Sequence, residues 1–95
     1  MNIKSTFFVM SMVEFVDGEE YHNKPTAHKD QQEAEAAMRK KADEWKNTFE
    51  EVADFKPIEK PFETPTYKGI EIKDENSSET YIKIWVDKVT LSVEI

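Results

Sequence analysis

Apolar residues recur along this chain with two spacings, and the switches between them separate strands from a helix. From Ile3 to Val16 the pattern alternates. Phe7, Val9, Val13 and Phe15 point one way, with Ser11 among them, while Phe8, Met10, Met12 and Val16 point the other way, with Glu14 among them. Apolar residues on both faces suit a central strand rather than an edge. Asp17-Gly18 is a two-residue hairpin signal, because a type I′ turn needs positive φ at both central positions. The return strand, Glu19 to His22, is short and charged, as a blunt edge should be. Asn23 to Ala27, with Pro25, reads as a loop.

The spacing then changes. Asp30 is a good helix N-cap, and Glu33 completes a capping-box pattern. Ala34, Met38, Ala42, Trp45, Phe49 and Val52 form one stripe on a helical period. Pro57 stops the helix at or before Lys56. Prolines at positions 57, 61 and 65 exclude a helix or a central strand over Lys56–Thr66, so an extended, stiff crossover is expected there.

Alternation returns at Tyr67–Lys73, with Ile70 and Ile72 inward. Gly69 inside this run points to a bulge or a close backbone approach. After a polar turn at Asp74–Ser78, the segment Thr80–Ile95 carries two alternating registers. Ile82, Ile84 and Val86 form one inward set, and Val89, Leu91, Val93 and Ile95 form the next. A turn at Asp87-Lys88 or a bulge in one long strand would each shift the parity. The turn closes the pairing without leftovers and is the favoured reading. The pattern predicts a single α+β domain over residues 1–95. It is an antiparallel sheet of about four to five strands, with one long amphipathic helix on one face and element order β-β-α-β-β-β.

One helix cannot shelter two apolar sheet faces. If it covers Ile82, Ile84, Val86, Val89, Leu91 and Val93, the opposite face shows Tyr81 and Trp85. One side of the first strand joins them, either Phe8/Met10/Met12 or Phe7/Val9/Val13. Such a patch exceeds the few hundred Å² a soluble monomer usually exposes. Phe8, Met10, Met12, Tyr81 and Trp85 are therefore the candidate protein interface. The crossover with Ile58 and Phe62, a second copy of the chain, or another protein would cover it.

Charge narrows the partners. The net charge is −7, from 20 acidic and 13 basic residues, and no basic stripe is present. Direct nucleic-acid binding and anionic membrane surfaces are disfavoured. Asp43, Glu44, Glu50, Glu51 and Asp54 form a candidate acidic surface, suited to an inhibitor or mimic that occupies a basic site on a partner. The longest apolar run, Phe7–Val13, is far short of the ~20 residues that span a bilayer. It is also a poor signal peptide, with Lys4 its only preceding basic residue and Glu14 directly after it. With no cysteine in the chain, a cytoplasmic setting is expected.

Catalytic chemistry finds little to work with. There is no cysteine, no serine on a recognisable elbow, and only His22 and His28 as imidazole bases. Phosphate-cradling loops need more than the two glycines present. The stretch Asp17–Asp30, with Glu19, Glu20, His22 and His28, is the one run with metal-ligand character. A solvated loop leading to an N-cap explains it as well. The sequence thus predicts a non-enzymatic protein-binding module without cofactor or metal, acting on a protein partner or as a homodimer. The alternatives are a metal- or small-ligand site in that loop, and a structural subunit of a larger assembly.

Overall fold

A computed structural model describes residues 1–94. Asp17 and Gly18 turn the chain back with φ of 50° and 80°, the positive values that a type I′ hairpin requires. They join β1 (Asn2–Val16) to β2 (Glu19–His22), with Val16 opposite Glu19. A further short strand, β3 (Thr26–His28), pairs along the same edge of β1, so the loop expected up to Ala27 ends earlier. The helix α1 (Gln31–Glu50) follows, then β4 (Pro57–Glu63), β5 (Lys68–Asp74) and β6 (Thr80–Glu94). All strands join one antiparallel sheet of order β2-β1-β6-β5-β4, with β3 also on β1. The α+β class and the single packed helix are as expected. The sheet has six strands, because Thr26–His28 and the proline-rich segment both pair while Thr80–Glu94 does not divide.

The helix begins where its cap predicts. The Asp30 carboxylate accepts the Glu33 N–H at 2.8 Å, satisfying one of the free donors of the first turn. The Glu33 carboxylate does not reach back to complete the box. It meets His28 Nδ1 at 3.2 Å. Ala34, Met38 and Ala42 are buried against Met10, Met12, Ile72, Ile82, Ile84 and Val86. The Trp45 indole N–H donates to Met12 Sδ at 3.3 Å. Helical structure stops at Glu50, so Val52 drops out of the stripe and is half exposed. Phe55 takes up the space beyond, stacking on Phe49 with ring centroids 4.6 Å apart.

The expected turn at Asp87-Lys88 is absent. β6 runs straight through it, and β1 pairs with it without a break from Asn2–Glu94 to Glu14–Ile82. Neither Asp87 nor Lys88 adopts the positive φ that a tight turn would need. The parity shift has another cause. Both strands move their apolar residues from the helix-facing side to the other side at the same level, near Phe8 and Lys88. Val89, Leu91 and Val93 therefore lie opposite the helix-covered face rather than on it. Ile95, assigned to the same inward set, lies outside the described residues.

Tyr81 is also not where alternation puts it. Ile72 faces Ile82, yet Lys73 faces Thr80, which leaves Tyr81 as the extra residue of a bulge. The bulge turns its ring to the helix side, 4.9 Å from Phe55 and 5.9 Å from Phe49.

The segment expected as a crossover is the edge strand β4. The Lys56 carbonyl accepts from the Glu75 N–H at 2.8 Å, and the Thr64 N–H donates to the Tyr67 carbonyl at 3.2 Å. Even-numbered backbone groups thus face β5. Pro57 and Pro61, which have no N–H to give, face the open edge. This arrangement blunts the edge against pairing with other chains.

Asp74 closes the far end of this layer. It is 6% exposed. Its carboxylate accepts the Lys56 N–H at 3.0 Å, the Asn76 N–H at 3.1 Å and the Ser77 hydroxyl at 3.1 Å. The Lys56 N–H is the largest influence holding this carboxyl below the usual carboxylate range. Burial opposes it, and the Asn76 and Ser77 donors add to it. A depressed folded-state pKa stabilises the fold above the unfolded pKa, and that contribution is lost as pH falls through the folded one. Asp74→Asn should therefore lower the unfolding midpoint at neutral pH by on the order of 10 °C. It should also flatten the loss of stability below about pH 4. Thermal melts followed by circular dichroism across pH check both.

Candidate functional site

The five residues expected to form an interface do not share a surface. Met10 and Met12 are 7% and 8% exposed, beneath the helix. Phe8 is on the same side, edge-on to Tyr67 at 6.3 Å, and Tyr81 belongs to the Phe49–Phe55 cluster. Trp85 alone is on the other face. The first strand contributes its alternative set to that face. Ser11 lies opposite Trp85, Val9 opposite Asp87 and Phe7 opposite Val89, and directly opposed residues project to one side.

No helix or strand lies over this second face, since every strand is in one sheet and the only helix among the described residues packs on the other side. It has two parts. The nearer part centres on Lys83, whose ammonium sits 6.0 Å from the Phe15 ring and 5.9 Å from the Phe62 ring. Lys83 also pairs with Glu71 at 3.4 Å. Trp85, Phe62, Pro65, Lys83 and Asp87 border a shallow cleft of about 300 Å³.

The farther part is an arm. Pairing of β5 with β6 ends at Lys68–Val86, and pairing of β3 with β1 ends at Phe8–His28. Beyond those points only residues 2–7 of β1 and 89–94 of β6 continue, as a two-stranded ribbon. It makes the molecule long, 58 × 25 × 20 Å with a radius of gyration of 15.6 Å, against about 12 Å for a compact domain of this length. The ribbon is two-sided. Lys4, Thr6, Thr90 and Ser92 occupy one side, where the Thr6 and Thr90 hydroxyls meet at 3.3 Å. Ile3, Phe7, Val89, Leu91 and Val93 occupy the other, with Ile3, Leu91 and Val93 46%, 53% and 55% exposed. Isolated two-stranded ribbons are marginal in water, so an apolar side of this kind favours a cover.

The expected acidic surface is partly neutralised. Asp43 pairs with Arg39 at 3.0 Å and Glu44 with Lys41 at 3.7 Å. Arg39 also binds Glu59. Glu50, Glu51 and Asp54 are exposed and have no ion-pair partner among the described residues. The two histidines of the Asp17–Asp30 stretch diverge. His22 is opposite Val13 and His28 opposite Phe8, which puts them on opposite faces and roughly 17 Å apart along β1. His22 meets Glu20 at 3.4 Å and His28 meets Glu33 at 3.2 Å. Among the described residues no three acidic or histidine side chains are grouped to hold a metal ion. No helix among them is long and apolar enough to cross a membrane.

Alternation alone marked both faces of the first strand as apolar. The residues it missed are Ile3, Val89, Leu91 and Val93, and only the pairing of β1 with β6 puts them beside Phe7 and Trp85. No protein-family model matches the chain, and neither a curated protein nor a solved structure matches it.

Proposed function

We propose that this protein is a non-enzymatic association module that binds another polypeptide through the sheet face opposite its helix. The observation that carries the reading is the run of apolar side chains on this face from Phe15 and Trp85 through Val9, Phe7 and Val89 to Leu91 and Val93, over which no helix or strand of the described residues lies. Lys83 and Asp87, set among these apolar side chains, supply polar groups of the kind that orient a partner. The net charge of −7 and the absence of a basic stripe favour a protein partner, or a second copy, over nucleic acid or an anionic membrane. The reading also carries the cytoplasmic setting that the cysteine-free composition suggests.

A photo-crosslinking residue tests this. Placed at Trp85 or Leu91 in cell extract, it should give a discrete protein adduct on irradiation. Placed at Lys40, on the exposed side of α1, it should give none. Equal labelling from all three positions, or no adduct from either sheet position, would remove the basis for the proposal.

A further inference from the structure

The sheet has five open borders, and four are unsuited to adding a strand symmetrically. β4 turns Pro57 and Pro61 outward. β2 and β3 are short, with four and three residues, and β2 has Glu19 and Glu20 at its start. The arm edge of β1 presents Asn2, Lys4 and Thr6. Antiparallel self-pairing there, with the apolar sides aligned, would set Lys4 against itself, Thr6 or Asn2, and none of these registers pairs opposite charges.

The arm edge of β6 differs. The Lys88 N–H donates to Thr66 Oγ1 at 3.0 Å, and the Val86 carbonyl accepts from Thr64 Oγ1 at 3.3 Å. Backbone groups of alternate residues point the same way, so those of Thr90, Ser92 and Glu94 point to this same edge. β5 does not extend that far. No proline interrupts the edge. It is a ready template for another strand.

Its sequence reads as its own complement. Antiparallel pairing of residues 88–94 about a two-fold axis through Leu91 sets Lys88 opposite the partner's Glu94, Val89 opposite the partner's Val93, and Thr90 opposite the partner's Ser92. Leu91 meets the partner's Leu91 on the axis. Neither Lys88 nor Glu94 has an ion-pair partner within its own chain among the described residues. Shifting the register by two residues either way loses the charge pairs. Even-numbered residues meet even-numbered ones, so the outward backbone groups of Thr90 and Ser92 face each other and the apolar sides fall together, while the Lys88 N–H keeps its bond to Thr66 Oγ1 and Lys88 contributes its side chain alone. Val89, Leu91 and Val93 each gain an apolar cross-strand neighbour.

We infer that the arm's occupant is a second copy of this chain, joined edge to edge along β6 in that register to make one sheet continuous through both subunits. This rests on the reading of the outer face as an association surface, and it names the partner at the arm's edge while leaving the sheet face beside Trp85 open. The symmetry is closed, so the product is a dimer and not a fibre, whereas pairing β1 of one copy with β6 of the next would propagate without end. A ladder this short lies at the low end of interface size, and each copy carries −7. The dimer is therefore weak and concentration-dependent.

Sedimentation velocity of the full chain over a wide concentration range tests the inference. The wild type should move from the monomer mass towards twice that mass. Lys88→Glu places like charges opposite each other at two symmetric positions and should weaken association by roughly tenfold or more. The charge swap Lys88→Glu with Glu94→Lys should restore it. Ser92→Pro removes an outward N–H, as Pro57 and Pro61 do on β4, and should leave a monomer whose circular dichroism is unchanged. A wild type that stays monomeric overturns the inference, as does self-association indifferent to Lys88→Glu or a swap that fails to rescue. Crosslinking from Leu91 to a different protein, alongside a monomeric mass, would end this inference and leave the outer-face reading standing. Loss of both signals would end both.

Discussion

Replacing Ile84 with alanine should cost about 3–5 kcal/mol, among the largest effects of any single truncation in this fold. Ile84 is 0% exposed. It sits mid-sheet, with Met12 opposite on one side and Ile70 on the other. It belongs to the cluster capped by Met38 and Ala42 of α1. Strands on both sides pin its backbone, so the space left by three missing carbon atoms cannot close by a local shift. The cost then includes the cavity as well as the lost transfer energy. For a domain of this size, total stability is roughly 5–15 kcal/mol, and the unfolding midpoint should fall by about 15–30 °C. Leu91→Ala is the control. It removes a similar side chain from the arm, where Leu91 is 53% exposed, and should change monomer stability by no more than about 0.5 kcal/mol. Thermal melts of the two variants at low concentration make the comparison. Equal effects would mean that the buried layer does not lie where the fold puts it.

Gly69→Ala should cost about 3 kcal/mol, at the upper end of ordinary overpacking. Gly69 is buried in β5, between Phe62 of β4 and Trp85 of β6. A Cβ there would lie 2.4 Å from Phe62 Cζ and 2.6 Å from the Ile84 carbonyl oxygen. These obstacles differ in kind. The ring belongs to an edge strand and can swing away, at the cost of its packing over the glycine. The carbonyl belongs to the central ladder and cannot move without disturbing strand pairing. The two neighbours can therefore be separated by a double mutant. Adding Phe62→Ala to Gly69→Ala should recover part of the loss but not all, giving a favourable coupling between the sites. Complete rescue would assign the whole cost to the ring. No rescue would assign it to the carbonyl. Denaturant unfolding of the single and double variants measures the coupling.

Phe62 also links stability to the outer face. Its ring covers Gly69 on the side that carries Trp85 and Lys83. Gly69→Ala should therefore disturb the cleft beside Trp85 while leaving the arm alone. Variants at Leu91 or Lys88 act only on the arm. The two halves of the surface can be probed separately for that reason.

The sequence by itself determined the elements whose signals are local. Asp30 and the stripe from Ala34 to Phe49 specify a helix wherever they occur, because capping and period depend only on near neighbours. Asp17-Gly18 specifies its turn in the same way. Prolines at 57 and 61 ruled out a central strand, and an edge strand with both facing outward obeys the same rule. Apolar residues on both sides of Phe7–Val16 announced a second face in need of cover. Only the tertiary structure decided which residues compose that face. Alternation reports parity along one strand, and a parity shift at Asp87-Lys88 looks the same whether the chain turns back or moves its apolar side across the sheet. The length of β1 resolves it, since a strand reaching to Asn2 can pair with all of β6 and a folded-back β6 would leave Asn2–Phe8 without a neighbour. Tyr81 changed sides through a bulge that no residue in its own segment signals. Face membership is a property of paired strands, and pairing joins residues as far apart in the chain as Asn2 and Glu94.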